Sequence, residues 1–200
     1  MENMKVKLVG NGALLIHSNK AANPLSKEAK IMKELQKKRG KTDADYAILS
    51  RQEWEAGLYL YEGVAVMPAQ NIEKTFLLGA RKSKNGKQFE SGVFLEEDFC
   101  PLSYNGPKIK TSNTNGAFPD SELDKFYEHH NWKEMVRVST QQILRTRPIF
   151  HDWSCNANIL FDGNIINERT LLSCIQDAGR LIGLCEKRPR LGRFNVEVVK

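Results

Sequence analysis

The sequence lacks the motifs that define several large classes of enzyme. It contains no phosphate-binding P-loop, no dinucleotide-binding glycine fingerprint and no Gly-x-Ser-x-Gly elbow, so an NTPase or hydrolase function has no support in it. Its cysteines form no C-x-x-C pair and no compact cluster with histidine, which argues against a zinc finger or a redox motif. We therefore expect buried thiols, the usual state of free cysteine, at Cys100, Cys155, Cys174 and Cys185.

Long apolar runs are also missing. No stretch approaches the roughly 18 to 20 apolar residues that span a bilayer, and residues 1–15 lack the regions of a signal peptide. We therefore expect a cytoplasmic protein. With 40% hydrophobic and 27% charged residues over 200 positions, the composition is typical of a globular chain that buries a core, and we expect one domain over residues 1–200.

Positive charge is concentrated in one segment. Residues 20–41 contain eight lysines and arginines and two glutamates, which gives the segment the +6 net charge of the whole chain and leaves the remainder neutral. Such a segment attracts polyanions in a salt-dependent way. A solvated basic surface is the simpler interpretation, because charge runs are weakly specific.

Strand and helix patterns alternate through the first half. Residues 5–17 predict a strand interrupted by Gly-Asn-Gly, followed by a basic helical insertion at 18–57 whose second helix spans about 43–55. Residues 58–67 predict a bent strand or a strand pair, and residues 71–82 predict a helix with an apolar stripe.

The second half completes the pattern. Residues 89–104 predict one or two short strands, at the start of a loop-rich insertion at 92–132 that includes a polar loop at 105–120. A strand is expected at 133–147. Strict alternation over 153–161 predicts a half-buried strand, and a helix capped by Asn167 leads to a last strand at 194–198. Without the insertions the order is β-α-β-β-α-β, a ferredoxin-like α+β core with one insertion after strand 1 and another before the central hairpin.

Two segments carry a more specific pattern. Val-Ala-Val-Met-Pro-Ala-Gln-Asn-Ile-Glu-Lys at 64–74 leads into Arg81. It resembles the strand, proline turn and helix of the RAMP superfamily, the RNA-binding backbone subunits of CRISPR effector complexes, whose pattern is aromatic-Ile-Pro-Gly-Ser-Ser-x-x-Lys-Gly-x-x-Arg. Ala69 and Gln70 stand where that family has Gly-Ser. Residues 182–194 resemble its glycine and arginine loop, and residues 136–161 are similar to its β-hairpin.

A second resemblance involves the C-terminal third. Arg-Thr-Arg-Pro-x-Phe-x-x-Trp at 145–153, together with Arg188-Pro189 and Gly-Arg-Phe at 192–194, is similar to small prophage-encoded proteins without an assigned role. The protein would then belong to a prokaryotic cell or to a phage-infected host.

The RAMP resemblance implies a non-enzymatic, RRM-like or RAMP-like module that binds single-stranded RNA or DNA without a cofactor or a metal. It also implies an antiviral-defence assembly, multi-subunit or filamentous, containing copies of this chain or other subunits. Arginine forks bind phosphate, and Gly192 permits close approach of backbone. We expect nucleic acid to contact His17, Lys30, Lys33, Lys37, Asn71, Lys74, Arg81, Arg145, Arg147, Lys187, Arg188, Arg190 and Arg193.

Other interpretations stay open at these positions. Asn71 is also explained by ordinary helix capping, His17 by a surface or packed position, and the arginines of 187–193 by solvation. Phe150 and Trp153 beside Arg147 fit either a base-stacking platform or core packing. At the level of function, the main alternative is a phage protein that imitates or blocks a host defence complex through protein–protein contacts.

Catalysis is the third hypothesis. Some RAMP subunits have an acidic residue in the first insertion that assists RNA cleavage, and Asp43 or Asp45 falls in the comparable insertion here, although capping also explains Asp43. The four histidines are scattered, and the run Glu-Glu-Asp at 96–98 alternates between faces, so we predict no catalytic residue and no metal site.

Overall fold

The chain folds as a mixture of helices and antiparallel sheets, which confirms the α+β class. A computed structural model describes residues 1–110 and 120–199. The strands are β1 Glu2–Gly10, β2 Leu14–Leu15, β3 Leu60–Tyr61, β4 Val64–Pro68, β5 Val93–Leu95, β6 Phe99–Pro101, β7 Asn131–Val138, β8 Gln141–Phe150, β9 Ser154–Phe161 and β10 Phe194–Val198. The helices are α1 Lys27–Lys37, α2 Asp43–Gly57, α3 Ala69–Lys82, α4 Gly86–Gly92, α5 Asp120–His129 and α6 Glu168–Asp177. A 3₁₀ turn at Asn19–Ala22 and a π-helical turn at Ala178–Ile182 are also present.

The chain divides into two compact units. The first, which we call the sheet unit, comprises Met1–Leu14, Val64–Asn105 and Phe150–Lys200. The second, the hairpin unit, comprises Leu15–Gly63 and Gly106–Ile149. Among the helices of the described residues, none combines the length and the apolar character needed to cross a membrane.

A four-stranded antiparallel sheet lies at the centre of the sheet unit. Its strand order is β10-β1-β9-β5, so β1 and β9 are the inner strands. Met4, Val6 and Leu8 of β1 are buried, and so are Ala157 and Ile159 of β9. Because successive side chains of a strand point to opposite faces, these residues define one buried face.

Helices α3 and α6 pack together over this buried face. The ring of Phe76 lies 6.3 Å from that of Phe194, which lies 6.3 Å from the indole of Trp153. Gly79 permits the close approach of the two helices, since a Cβ there would lie 2.5 Å from the carbonyl oxygen of Cys174. A larger residue at position 79 would therefore push the helices apart.

The hairpin unit is built around Trp54. Strands β7 and β8 form an antiparallel hairpin, and the fully buried indole of Trp54 in α2 donates from Nε1 to the carbonyl oxygen of His130, 2.8 Å away. The ring of Tyr127 in α5 packs edge-on against the indole, with a centroid separation of 5.5 Å. These contacts connect α2 to the segment between α5 and β7.

Helix α2 begins at a capping box. Thr42 is the N-cap, and the Asp45 carboxylate accepts hydrogen bonds from the Thr42 backbone N–H at 2.8 Å and from Lys38 Nζ at 2.7 Å. The hydrogen bond from Lys38 and then those from Thr42 lower the pKa of Asp45 to about 2. The sequence predicted that Asp43 caps this helix, but Thr42 and Asp45 make the cap instead.

Several local predictions are confirmed. Cys155, Ala157, Ile159 and Phe161 are buried at alternate positions of β9. The side chain of Asn167 caps α6 by accepting from the N–H of Thr170 at 2.9 Å. The strand pair predicted over 58–67 is also present as β3 and β4, with residues 62 and 63 between them at positive φ.

The central hairpin differs from the prediction. The sequence pattern placed residues 133–147 beside 153–161, but β9 pairs with β1 and β5, and residues 131–150 fold back on themselves as β7 and β8. Strand β5 lies inside the predicted insertion at 92–132, as do β6 and α5. The short strands predicted over 89–104 are confirmed as β5 and β6, but the pairing of β5 with β9 was not predicted. The predicted loop at 105–120 falls largely on residues 111–119, outside the described residues.

Candidate nucleic-acid interface

The face of the four-stranded sheet opposite α3 and α6, which we call the open face, is polar. In β1, Asn3 and Lys5 are exposed and Lys7 is half-buried, alternating with the buried apolar residues. In β9, Asn156 is exposed and Asn158 is half-buried. Because strand periodicity is two, these five side chains project from the same face of the sheet.

The strand register arranges the polar side chains of the open face in rows. Lys5 is paired with Asn158, and Lys7 is paired with Asn156. In the edge strand β5, the side chain of Phe94 is 45% exposed between buried neighbours. Amide side chains offer donors and acceptors to base edges, and an exposed aromatic ring offers a surface on which a base stacks.

Acidic residues compensate the lysines of the open face. The Glu97 carboxylate accepts hydrogen bonds from the backbone N–H of Asn158, at 3.1 Å, and from its side-chain amide. Glu197 of β10 lies opposite Lys7 in the register. Two lysines and two glutamates cancel in formal charge, so this face suits bases better than phosphates.

Cations are concentrated instead in the segment 187–193, which we call the basic loop and which leads directly into β10. Gly192, at φ +73°, donates from its N–H to the carbonyl oxygen of Ala13 at 2.9 Å and accepts from the N–H of Leu184 at 2.8 Å. Arg193 Nε donates to the carbonyl oxygen of Pro189 at 2.8 Å. These bonds fix the loop backbone, while exposed cationic side chains extend from it at Lys187, Arg188, Arg190 and Arg193.

A cavity of about 680 Å³ lies where the basic loop meets the sheet. Arg193, Arg180, Asn11 and Asn195 contribute to its lining. The two asparagine side chains hydrogen-bond to each other at 2.9 and 3.1 Å, while Arg180 forms an ion pair with Asp177 at 2.9 Å. The cavity therefore adds a second arginine and two amides to the predicted basic loop.

The three predicted site residues of α3 have separate positions. The helix begins at Ala69, whose N–H donates to the Asp98 carbonyl oxygen, so Asn71 is its third residue and makes no side-chain cap. The capping interpretation of Asn71 is therefore wrong. Lys74 is exposed, and Arg81 approaches Glu90 at 4.0 Å near the helix end. The structure does not bring these residues together with the basic loop.

The remaining predicted residues belong to the hairpin unit. His17, Lys33, Arg145 and Arg147 line one cavity of about 400 Å³. The other two lysines of the predicted face are exposed on α1, at Lys30 and Lys37. Sequence reasoning had grouped the lysines by helical spacing and the arginines by proximity to a hairpin. The structure places one lysine with both arginines.

The candidate catalytic groups have structural roles or lie apart. Asp45 is engaged by Thr42 and Lys38, and its pKa, lowered to about 2, makes it a poor base. His130 is fully buried, with Nε2 2.7 Å from the carbonyl oxygen of Pro107. Within residues 1–110 and 120–199, His, Cys, Asp and Glu side chains form no group of three or more that would hold a metal ion.

Three of the four thiols are buried as predicted, and Cys185 is half-buried. Burial raises the pKa of Cys100 to about 12 and that of Cys155 further. Phe150 and Trp153 are buried as well, and the Trp153 indole donates to the carbonyl oxygen of Gly12 at 3.0 Å. The stacking-platform interpretation of Phe150 and Trp153 is therefore wrong, and core packing is correct.

Sequence reasoning missed the open face. It also missed Glu53, whose carboxylate lies between Arg145 and Arg147. A signal for the open face was present, because Lys5 and Lys7 alternate with apolar residues in β1. No comparable signal identifies Glu53, which contacts Arg145 across 92 positions of the chain. Arg180 and Phe94 are likewise recognised only from their places beside the basic loop and at the sheet edge.

Comparisons with known proteins add no assignment. The chain matches no protein-family model, and no curated protein matches it.

Proposed function

We propose that this protein is a non-enzymatic module that binds single-stranded RNA or DNA through the sheet unit. The observation that carries the proposal is the junction of the basic loop with β10, the edge strand of a sheet whose open face presents amides and an exposed phenylalanine. Cations and stacking surfaces on one unit are what a single strand requires, because its phosphates and its bases are both accessible.

The topology of the sheet unit supports a ferredoxin-like core. The strands β1, β5, β9 and β10 follow in chain order, with α3 between the first two and α6 between the last two. Their spatial order β10-β1-β9-β5 is that of a β-α-β-β-α-β fold with both helices on one face. RRM domains of this kind stack bases on the other face of the sheet. A RAMP-like module is the corresponding family-level proposal.

The two parts of the interface have different roles. The basic loop contacts phosphates, which supply affinity without sequence information, whereas the open face contacts bases. The sheet is about 14 Å across from β10 to β5, from the usual strand spacing. The basic loop joins β10 at the row of Gly10, whereas Phe94 is paired with Leu160 in the row of Asn3. A strand held at the basic loop therefore reaches Phe94 by running diagonally across the open face, past the rows of Lys7 and Lys5.

The basic loop is tested by its effect on salt dependence. Changing Arg188, Arg190 and Arg193 to alanine should weaken binding of a labelled single-stranded oligonucleotide in fluorescence anisotropy. It should also reduce the slope of log K against log salt by about 2, since each phosphate contact on a single strand contributes about 0.7. The matched control removes three exposed lysines from the helical side of the sheet unit, at Lys82, Lys84 and Lys87. Equal slopes for the two triple variants would refute the assignment.

A substitution that leaves the net charge unchanged tests the open face. Phe94→Leu keeps an apolar side chain but loses the aromatic ring, and should weaken binding about 5- to 100-fold, the usual range for one stacked base. The salt slope should stay the same. Ile165→Leu, at an apolar side chain of similar exposure elsewhere in the sheet unit, is the control. A normal affinity for Phe94→Leu would exclude the open face from the interface.

Assembly along the strand is the second part of the proposal. We infer that several copies, alone or with other subunits of a defence ribonucleoprotein, bind one strand side by side. Light scattering during titration with oligonucleotides of increasing length should show a stepwise increase in mass. A single copy bound at every length would contradict it.

Protein–protein binding is the alternative function, and the β7–β8 hairpin favours it. Met135, Val138 and Leu144 are 58, 45 and 41% exposed there, and exposed apolar side chains grouped on one element are typical of interaction surfaces. A phage protein that blocks a host complex would use such a surface. Its binding should change little with salt, in contrast to binding through the basic loop.

A further inference from the structure

The cavity of the hairpin unit contains a charged cluster that the proposed function does not use. One oxygen of the Glu53 carboxylate accepts from Nη1 of Arg145 at 3.0 Å and from Nη1 of Arg147 at 2.8 Å. The other oxygen accepts from the backbone N–H of Thr146 at 2.9 Å. A single carboxylate of α2 thus holds two guanidinium groups and the strand between them.

The strand geometry directs both arginines to one side. Arg145 and Arg147 are separated by one residue of β8, so their side chains leave the same face, while Thr146 is fully buried on the other. The Arg147 side chain is 15% exposed and that of Glu53 is 14% exposed. The cluster is therefore fixed by partly desolvated contacts and not by flexible surface ion pairs.

The cluster retains both charge and donors for a ligand. Arg145, Arg147 and Lys33 carry three positive charges against the one negative charge of Glu53, which leaves +2 at the cavity. Each guanidinium has five N–H donors in a fixed fork, and the bonds to Glu53 use Nη1 of each. Two guanidinium forks and a net charge of +2 match a dianion with several acceptor oxygens.

Part of the cavity lining is apolar. Ala22, Pro24, Ala29 and Met32 form this part, from the 3₁₀ turn to α1. The cavity volume of about 400 Å³ lies within the range of about 300 to 1,000 Å³ typical of small-molecule sites. A ligand that fills the cavity has a dianionic head at the arginines and an apolar or aromatic body against this part of the lining.

We propose that this cavity binds a phosphomonoester. A phosphomonoester carries close to two negative charges at neutral pH and three terminal acceptor oxygens, which a carboxylate does not. The same head group occurs on a small molecule such as a nucleoside monophosphate and on the 5′ end of a nucleic-acid strand. The inference uses residues of the hairpin unit alone, so it stands or fails independently of the proposed interface on the sheet unit.

Isothermal titration of the full chain tests the phosphate requirement. The probes are adenosine 5′-monophosphate, adenosine and inorganic phosphate. We expect saturable binding of the monophosphate, at least about tenfold weaker binding of adenosine because the charge-assisted bonds are lost, and intermediate binding of inorganic phosphate. Equal binding of adenosine and its monophosphate, or no binding of either phosphate probe, would overturn the proposal.

Variants locate the site. Lys33→Gln, a change at an exposed position that leaves the fold intact, should lower the affinity for the monophosphate severalfold, while Lys30→Gln, on the same helix but outside the cavity lining, should not. Arg147→Lys keeps the charge and loses the fork, and should lower the affinity about tenfold. Equal effects of Lys30→Gln and Lys33→Gln would show non-specific attraction and contradict the proposal.

A third comparison identifies the source of the phosphate. An oligonucleotide is titrated with a 5′-phosphate and with a 5′-hydroxyl, against the natural chain and Lys33→Gln. A preference for the 5′-phosphate that disappears in Lys33→Gln supports the site and assigns it to strand ends. Equal binding of both oligonucleotides, together with Lys33-dependent binding of the monophosphate, supports the site and assigns it to a small molecule.

Discussion

Replacing Glu53 by alanine removes the acceptor of three donors at once. The hydrogen bonds from Arg145, Arg147 and the Thr146 N–H have lengths of 3.0, 2.8 and 2.9 Å. After the substitution, the guanidinium of Arg147 keeps its charge at 15% exposure without a neighbouring carboxylate, and the backbone N–H of Thr146 loses its acceptor. The free energy of unfolding of the hairpin unit should therefore fall.

The size of the decrease follows from burial. Breaking a buried ion pair by removing one partner costs about 3 to 5 kcal/mol. Arg145 is 35% exposed and regains hydration when Glu53 is removed. Its ion pair therefore contributes less, closer to the small value of a surface pair. The bond to Thr146 adds about 1 kcal/mol. We expect a loss of about 2 to 4 kcal/mol, which high salt reduces only in part because the cluster is partly buried.

Urea unfolding followed by tryptophan fluorescence measures this loss. Trp54 lies next to Glu53 in α2 and is fully buried, and Trp132 belongs to the same unit. A Trp153→Phe background removes the indole of the sheet unit, so that the emission reports the hairpin unit. The matched control is Glu34→Ala, at an exposed position of α1, which should change stability by less than about 0.5 kcal/mol. A similarly small change for Glu53→Ala would refute the view that this carboxylate organises the cluster.

Four further outcomes are expected. Thr42→Ala should lower the stability of the hairpin unit by about 1 kcal/mol in urea, because it removes the N-cap of α2. Asp45 has its pKa lowered to about 2, so its stabilisation is complete above pH of about 4 and is lost as the pH falls toward 2. An NMR titration of the carboxyl carbon checks the value, and a midpoint near 4 would contradict the capping geometry. Gly192→Ala should destabilise more than Gly12→Ala in a thermal melt, since both positions have positive φ but only at Gly192 would the new Cβ overlap the Leu184 carbonyl. Labelled single-stranded RNA incubated with and without magnesium should stay intact, whereas cleavage that disappears in Asp45→Asn would assign catalysis to the first insertion.

Local patterns predicted the elements that are long and periodic. Strand β9 shows four buried positions in strict alternation, and α6 has both a capping asparagine and an apolar stripe. In each case, neighbouring residues carry the whole signal. The boundaries of α2 and α3 were accurate to within two residues for the same reason, whereas α4 and α5 were not predicted.

Strand pairing could not be derived in this way. The prediction joined 133–147 to 153–161 because they are consecutive, yet β9 takes as its outer partner β5, a strand of three residues about sixty positions earlier. Residues 131–150 pair with each other instead through a turn at Ser139, which has a φ of +55°. Pairing depends on which apolar faces are left to cover after the helices pack, and this information is not local.

The candidate site shows the same division between local and non-local information. The exposed cations of the basic loop were predictable, because Gly, Pro and Arg in sequence indicate a turn in water. The open face follows from a rule that was applied to only one side of each strand: residues that alternate with a buried set must form a second face. Once Met4, Val6 and Leu8 are assigned to the core, Lys5 and Lys7 are committed to the other face, and β9 places Asn158 and Asn156 beside them. A polar face of this kind adds nothing to the apolar core, which is why a search for core residues passes over it and a search for binding residues should begin there.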